Sequence, residues 1–302
     1  MSPNYFVVTC HGWSASNWLA HALHKHKDVT CAHSSALIPA KNASVFDGRG
    51  LQKHIPDLRK GYVERQTRSL MDTYADFSKD QQTEFVGSVH SYRLRDLPAQ
   101  TRLIGQTETT IPVVNLVRHP LDLVVSGYGQ FKDLFPIDLN EFSWTLRKIV
   151  DQGLDIAETV CKRHSINPGD FDTVCFLGAC VVLGSLRMDL DALNEVSESD
   201  TGPWDYRGIV RMEEVTRDRK TYAELLDRLS NHKLQADTEY LESVFEEKRV
   251  NVHNRSAPEG TAARWQALQP WQREAFKAYL ALFQLQSAYE SNGYDFSFLE
   301  ET

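Results

Sequence analysis

Apolar positions first cluster in Tyr5–Cys10 (YFVVTC), a short β-rich run. The turn HGWSAS follows, and then NWLAHALHKH, which reads as a helix. Further strands are predicted over Glu84–His90 (EFVGSVH), over Ile111–Val117 (IPVVNLV, the clearest buried run) and over Tyr206–Met212. Ile111–Val117 runs straight into Arg118-His119-Pro120 and a helix over Leu121–Lys132, with Pro120 in the first turn where its missing N–H costs little. Long helical patterns cover Leu139–Arg163 and Asp172–Val196, and shorter ones Tyr222–Ser230 and Asp237–Lys248. A closing helix over Pro270–Ser291 is ended by Asn292-Gly293 as a C-cap. Strands alternating with helices predict an α/β fold: a central, mostly parallel sheet flanked by helices. No linker splits the chain, so residues 1–302 are expected to form a single domain. Residues 36–82, polar and broken by Gly and Pro, read as an insertion over the sheet with a helix in Tyr62–Phe77.

Composition narrows the function. Net charge is −8, from 33 Lys and Arg against 41 Asp and Glu, and this argues against a nucleic-acid binder, which needs a broad basic face. A local basic pocket is still allowed. The five cysteines, Cys10, Cys31, Cys161, Cys175 and Cys180, are odd in number and lack metal-ligand spacing; they read as small buried residues in a reducing compartment. There is no basic n-region before the first apolar run, and no apolar stretch approaches the length of a membrane span. A cytoplasmic protein with no membrane partner and no metal is expected.

The chemistry concentrates at two places. Gly12, Trp13, Ser14, Ala15, Ser16 and Asn17 lie where the first strand gives way to a helix. Small residues let backbone wrap an anion there, helix N–H groups point at it, and the hydroxyls of Ser14 and Ser16 add donors. An ordinary Gly/Ser turn is the competing reading. At the second place Arg118 ends the best strand, and Ser126 follows in the next helix. Ligands of open parallel sheets meet such positions. Arg118 can hold a phosphate bidentately, or it can pair with Asp122 at the helix start.

The segment Val117-Arg118-His119-Pro120-Leu-Asp122-Leu-Val-Val-Ser126-Gly-Tyr128 resembles the 3′-phosphate motif of sulfotransferases that use 3′-phosphoadenosine-5′-phosphosulfate (PAPS). Gly12–Leu19 is similar to that family's 5′-phosphosulfate loop. His90 with Leu97-Pro98 resembles the catalytic-base position, Val210-Arg-Met-Glu213-Glu214 the late strand, and Arg255-Ser256 with Arg264-Trp265 the C-terminal lid. The resemblance implies a P-loop NTPase-like sulfotransferase architecture and in-line transfer of a sulfuryl group, with adenosine 3′,5′-bisphosphate as product. It assigns Ser14, Ala15, Ser16 and Asn17 to the 5′-phosphosulfate, counts Gly12 and Trp13 among the cofactor-binding residues, with the acceptor pocket as the alternative for Trp13, and assigns Trp18 to the adenine, although a first-turn Trp also suits the core. Arg118, Ser126, Arg255 and Ser256 would hold the 3′-phosphate end, and His90 would accept the acceptor's proton.

One departure stands out: Trp13 occupies the position where the family carries Lys or Arg. Charge stabilisation is often the largest catalytic term, so a substitute cation is needed, with Arg93, Arg95 and Lys132 as candidates. A P-loop kinase or NTPase is disfavoured because G-x-x-x-x-G-K-[ST] is absent. A non-catalytic nucleotide binder of the same fold stays open because of Trp13. The expected partner is a small-molecule acceptor, such as a natural product, bearing a hydroxyl or an amine. It would be held by residues 36–82, Phe135–Asn140 and a lid over residues 251–261. A homodimer is compatible with the sequence.

Overall fold

Among the described residues seven strands form one sheet: β1 (Asn4–Cys10), β2 (Val29–His33), β3 (Ala36–Leu37), β4 (Lys53–His54), β5 (Phe85–Val89), β6 (Ile111–Val117) and β7 (Trp204–Arg211). Their order is β4-β3-β2-β5-β1-β6-β7. The five strands from β2 to β7 in that order run parallel, and the two-residue edge strands β3 and β4 are antiparallel. The protein is therefore α/β with a central, mostly parallel sheet. The computed structural model describes residues 4–33, 36–37, 53–54, 69–78, 83–105, 107, 110–197, 202–246 and 259–300.

The chain divides into two compact units. Met1–Arg118 with Asp189–Asn251 holds the whole sheet, and His119–Met188 with Val252–Thr302 is helical. In the sheet unit, helices α1 (Ser16–Lys25), α2 (Leu70–Ser78) and α3 (Leu97–Ile104) precede β6. Helices α4 (Pro120–Leu134), α5 (Leu139–Arg163) and α6 (Phe171–Val181) belong to the helical unit. Helix α7 (Leu183–Ser197) crosses the boundary; α8 (Met212–Val215), α9 (Arg219–Ser230) and α10 (Thr238–Phe245) return to the sheet unit. Helices α11 (Thr261–Ala267), α12 (Pro270–Leu282) and α13 (Gln286–Glu290) close the helical unit.

The period of two along β1 sorts its side chains between two cores. Phe6, Val8 and Cys10 join Leu19 and Leu23 of α1 and Tyr222, Leu225 and Leu226 of α9. Val7 faces the other way, among Leu70, Tyr74 and Leu97. Burial on both faces is why these strands read as continuous apolar runs. Gly87 of β5 lies opposite Phe6, and a Cβ there would meet the Phe6 ring at 2.4 Å, so that ring covers the glycine.

Some expectations change. Strand β2, with its alternating VTCAH, was not anticipated. The helix expected over Asp172–Val196 is interrupted at Val182, whose amide bonds to Cys180. Val182 keeps right-handed dihedrals (φ −58°, ψ −26°), so the interruption is a change of hydrogen-bond partner, which an unbroken apolar pattern conceals. The stretch Phe171–Leu193 is, by length and composition, apolar enough to cross a membrane, contrary to expectation; 72% of its most apolar window is buried within the protein. The closing helix stops at Leu282: Gln284 takes a left-handed conformation (φ 51°), with Gln284 N–H donating to Ala281 O and Leu285 N–H to Leu280 O. This is a Schellman ending without glycine, and it buries Leu285 completely. The expected Asn292-Gly293 stop is present, with Gly293 at φ 82°. Most of the expected 36–82 insertion and of the 251–261 lid lies outside the described residues, though α2 overlaps the helix expected over Tyr62–Phe77 and runs one residue past it.

Candidate functional site

β1 and β6 are neighbours, yet the chain leaves β1 toward β2 on one side and leaves β6 toward β7 on the other. The crevice beyond the carboxyl ends of such a pair is where open α/β sheets bind ligands. The loop from His11 to Ala15 sits there. Trp13 and Ala15 have positive φ (68° and 53°), and Ser14 between them does not. Such alternation turns successive N–H groups toward one side and makes an anion-binding concavity, at about 1–3 kcal/mol of strain per left-handed residue. Gly12 is not left-handed; a Cβ on it would face His90 Cε1 at 3.8 Å.

The loop runs directly into α1, whose first-turn N–H groups lack helical partners. Ser14 is only 1% exposed, and its hydroxyl has no hydrogen-bond partner. Asn17 Oδ1 is also buried without one. An unsatisfied buried hydroxyl costs about 1–3 kcal/mol, so Ser14 suits a ligand that supplies the missing contact; Asn17 Oδ1 only accepts, and an anion would be met by the Nδ2 end of that amide. Ser16 Oγ lies 3.0 Å from His33 Nε2.

Two arginines bracket this loop. Arg118, at the end of β6, donates from Nη1 to Trp13 O at 2.5 Å. Arg93, beyond β5, donates from Nη1 to Cys10 O at 2.6 Å. Of the other candidate cations, Arg95 is engaged by Asp189, with Nε–Oδ1 at 3.9 Å and its amide at 3.5 Å. Lys132 pairs with Asp172 at 2.5 Å and sits over the Tyr128 ring, all within the helical unit.

His90 ends β5 in a left-handed conformation (φ 66°), its amide donating to Val8 O. Its Nδ1 approaches Cys10 O at 3.3 Å, and its ring stacks on His33 at 5.6 Å between centroids and 18° between planes. A proton on Nδ1, donated to Cys10 O, leaves the lone pair on Nε2. Withdrawal from water, then the charges of Arg93, His33 and His11, hold His90 well below the ordinary histidine range. Burial lowers His33 to about 4, and burial with His33 and His24 nearby lowers His21 to about 3. Burial raises the Cys10 thiol to about 12.

The structure thus brings together Gly12, Trp13, Ser14, Ala15, Ser16, Asn17, His90 and Arg118. Trp18 packs edge-on against Tyr222 and Phe245, at 5.9 Å from each, beside the core cluster, and is partly exposed. Ser126 is half-buried on α4 in the helical unit. The start of α4 is built within that unit: His119 Nδ1 caps the Leu121 amide, and Asp122 is paired by Arg264 at 2.8 Å and Thr261 at 3.0 Å. Arg255 and Ser256 lie outside the described residues. His33 was not anticipated, because it sits on the unanticipated strand β2. Among the described residues no group of three or more His, Cys, Asp and Glu is arranged to hold a metal.

No protein-family model and no curated protein matches the chain. Among solved structures it is similar to a sulfotransferase domain from the curacin biosynthetic pathway, at 14% identity and a TM-score of 0.43, over 94% of this chain and 98% of that one.

Proposed function

We propose that the protein is a PAPS-dependent sulfotransferase acting on a hydroxyl or amine of a small-molecule acceptor. The observation that carries this reading is the buried, unpartnered Ser14 hydroxyl inside a left-handed loop at the sheet's switch point. The loop amides, Ser14, Ser16 and Asn17 would hold the 5′-phosphosulfate. Arg93 and Arg118, each on a carbonyl at one end of the loop, supply positive charge where Trp13 replaces the family's Lys or Arg. The Arg118 motif supports a 3′-phosphate over a plain triphosphate.

His90 Nε2 takes the acceptor's proton as the acceptor's oxygen or nitrogen bonds to sulfur. The bond from sulfur to the bridging phosphate oxygen breaks, and its electron pair leaves with adenosine 3′,5′-bisphosphate. Because His90 is neutral near pH 7, it is in the protonation state a base requires. Calorimetry with adenosine 3′,5′-bisphosphate and with Mg·ATP tests the reading. Preference for the bisphosphate is expected; equal or tighter ATP binding would sink it in favour of a kinase or NTPase. Transfer from labelled PAPS to a panel of alcohols, phenols and amines separates an enzyme from a non-catalytic binder.

A further inference from the structure

His33 touches both halves of the site. Its Nε2 lies 3.0 Å from Ser16 Oγ, at the first residue of α1, and its ring face lies against His90. Apart from the strand backbone, His90 is otherwise held through its Nδ1 to Cys10 O and Sγ. The direction of the Ser16 contact has a chemical consequence. If Ser16 donated to His33, the hydroxyl would turn only lone pairs toward an anion in the loop. If His33 donates from Nε2–H, the Ser16 proton is released from His33 and can turn from the Cys10 thiol, which also contacts Ser16, to that anion; of the two directions this one suits the concavity.

We propose that His33 is a positioning residue that donates to Ser16, freeing its hydroxyl proton for the bound anion, while its ring face fixes the imidazole of His90. One side chain then sets the anion loop and the base together. This inference rests on the anion-loop reading above. The groups facing His90 are Arg93, His33 and His11, with the Cys10 carbonyl, and those facing His33 are Ser16, His90 and His21.

Two substitutions separate the two roles. His33→Phe keeps a flat ring against His90 but cannot donate to Ser16; His33→Gln keeps a donor at the reach of Nε2 but loses the ring. Calorimetry with inorganic pyrophosphate and with adenosine 3′,5′-bisphosphate should show His33→Phe binding both at least tenfold more weakly and His33→Gln within about threefold of wild type, the lost donor being worth roughly 1.4 kcal/mol. Both variants lose the imidazole's charge, but only His33→Phe keeps the burying ring, so NMR titration of the imidazoles should show His90 moved further toward the ordinary range in His33→Gln than in His33→Phe. Wild-type affinity in His33→Phe, or a His90 moved no further in His33→Gln than in His33→Phe, overturns the proposal. Wild-type protein that binds pyrophosphate but not the bisphosphate rejects the PAPS reading while leaving His33 testable. No pyrophosphate binding at all rejects both.

Discussion

The Arg118 guanidinium reaches the carbonyl oxygen of Trp13 at 2.5 Å, so a cation anchored on β6 is tied to the loop residue that stands where a cationic side chain was expected. The contact does two things: it pins a left-handed Trp13 and brings positive charge to an anion site. Replacing Arg118 with Ala should weaken adenosine 3′,5′-bisphosphate by about 2–5 kcal/mol. Arg118→Lys should recover only part, because an ammonium lacks the planar fork. Calorimetry on the three proteins checks this; unchanged affinity in Arg118→Ala would restrict Arg118 to a structural role.

Ser14 should show opposite effects on stability and binding. Its hydroxyl is buried without a partner, so Ser14→Ala should leave the free protein as stable as wild type, or more stable by about 1–2 kcal/mol in urea unfolding. The same change should weaken the bisphosphate by roughly 1.5–3 kcal/mol if the hydroxyl donates to a charged oxygen. Loss of stability would mean that the hydroxyl serves the fold instead.

The pH dependence follows from the direction of the His90 shift. In free enzyme its protonation lies well below 6.5. Thus kcat/KM for sulfuryl transfer should stay level from about pH 6 to 8, without the acid limb of an ordinary imidazole. Replacing His90 with Ala should abolish transfer while leaving bisphosphate affinity nearly unchanged. An acid limb near 6.5 in the wild-type profile would show that the ring is more hydrated than its packing implies.

Acid should destabilise the fold before the carboxylates titrate. His21, His33 and His90 have folded values below their unfolded value of 6.5. Between those values the unfolded chain binds more protons, so stability is intact above pH 6.5 and is lost as pH falls toward about 4. His33 alone contributes on the order of 3 kcal/mol over that interval. Asp189, raised to about 6 by burial, and Glu141, raised by burial and Asp138, act in the opposite direction, but they are two groups against three. Urea midpoints should therefore fall from pH 7 to pH 5, and less steeply in His21→Gln.

The parts of the fold that were legible in the sequence are those where one local signal suffices. β1 and β6 are apolar runs buried on both faces, and the helix over Leu139–Arg163 matches its expected limits, although an unexpected kink at Gly153 (φ −167°) interrupts it. β2 was missed because VTCAH has too few apolar residues to stand out after a helix. The stop at Gln284 was missed because a residue other than Gly takes the left-handed position, which removes the usual punctuation. The site divides in the same way. Gly12 to Asn17 and Arg118 are contiguous motifs at strand ends. Arg93 could be named only as one of three cations, and His33 not at all, because only the strand order, with β5 beside β1 and β2 beyond β5, brings them near the loop.

The carbonyl of Cys10 accepts from Arg93 at 2.6 Å and from the His90 ring at 3.3 Å, so the two side chains meet on a peptide oxygen. Every amino acid carries that oxygen. A small residue replacing Cys10 in a mutational library therefore keeps the meeting point of base and cation and loses only the 3.5 Å contact of Sγ with the His90 ring. A one-residue slip of β1, by contrast, would misplace base and cation together, which makes strand register the more heritable part of the site.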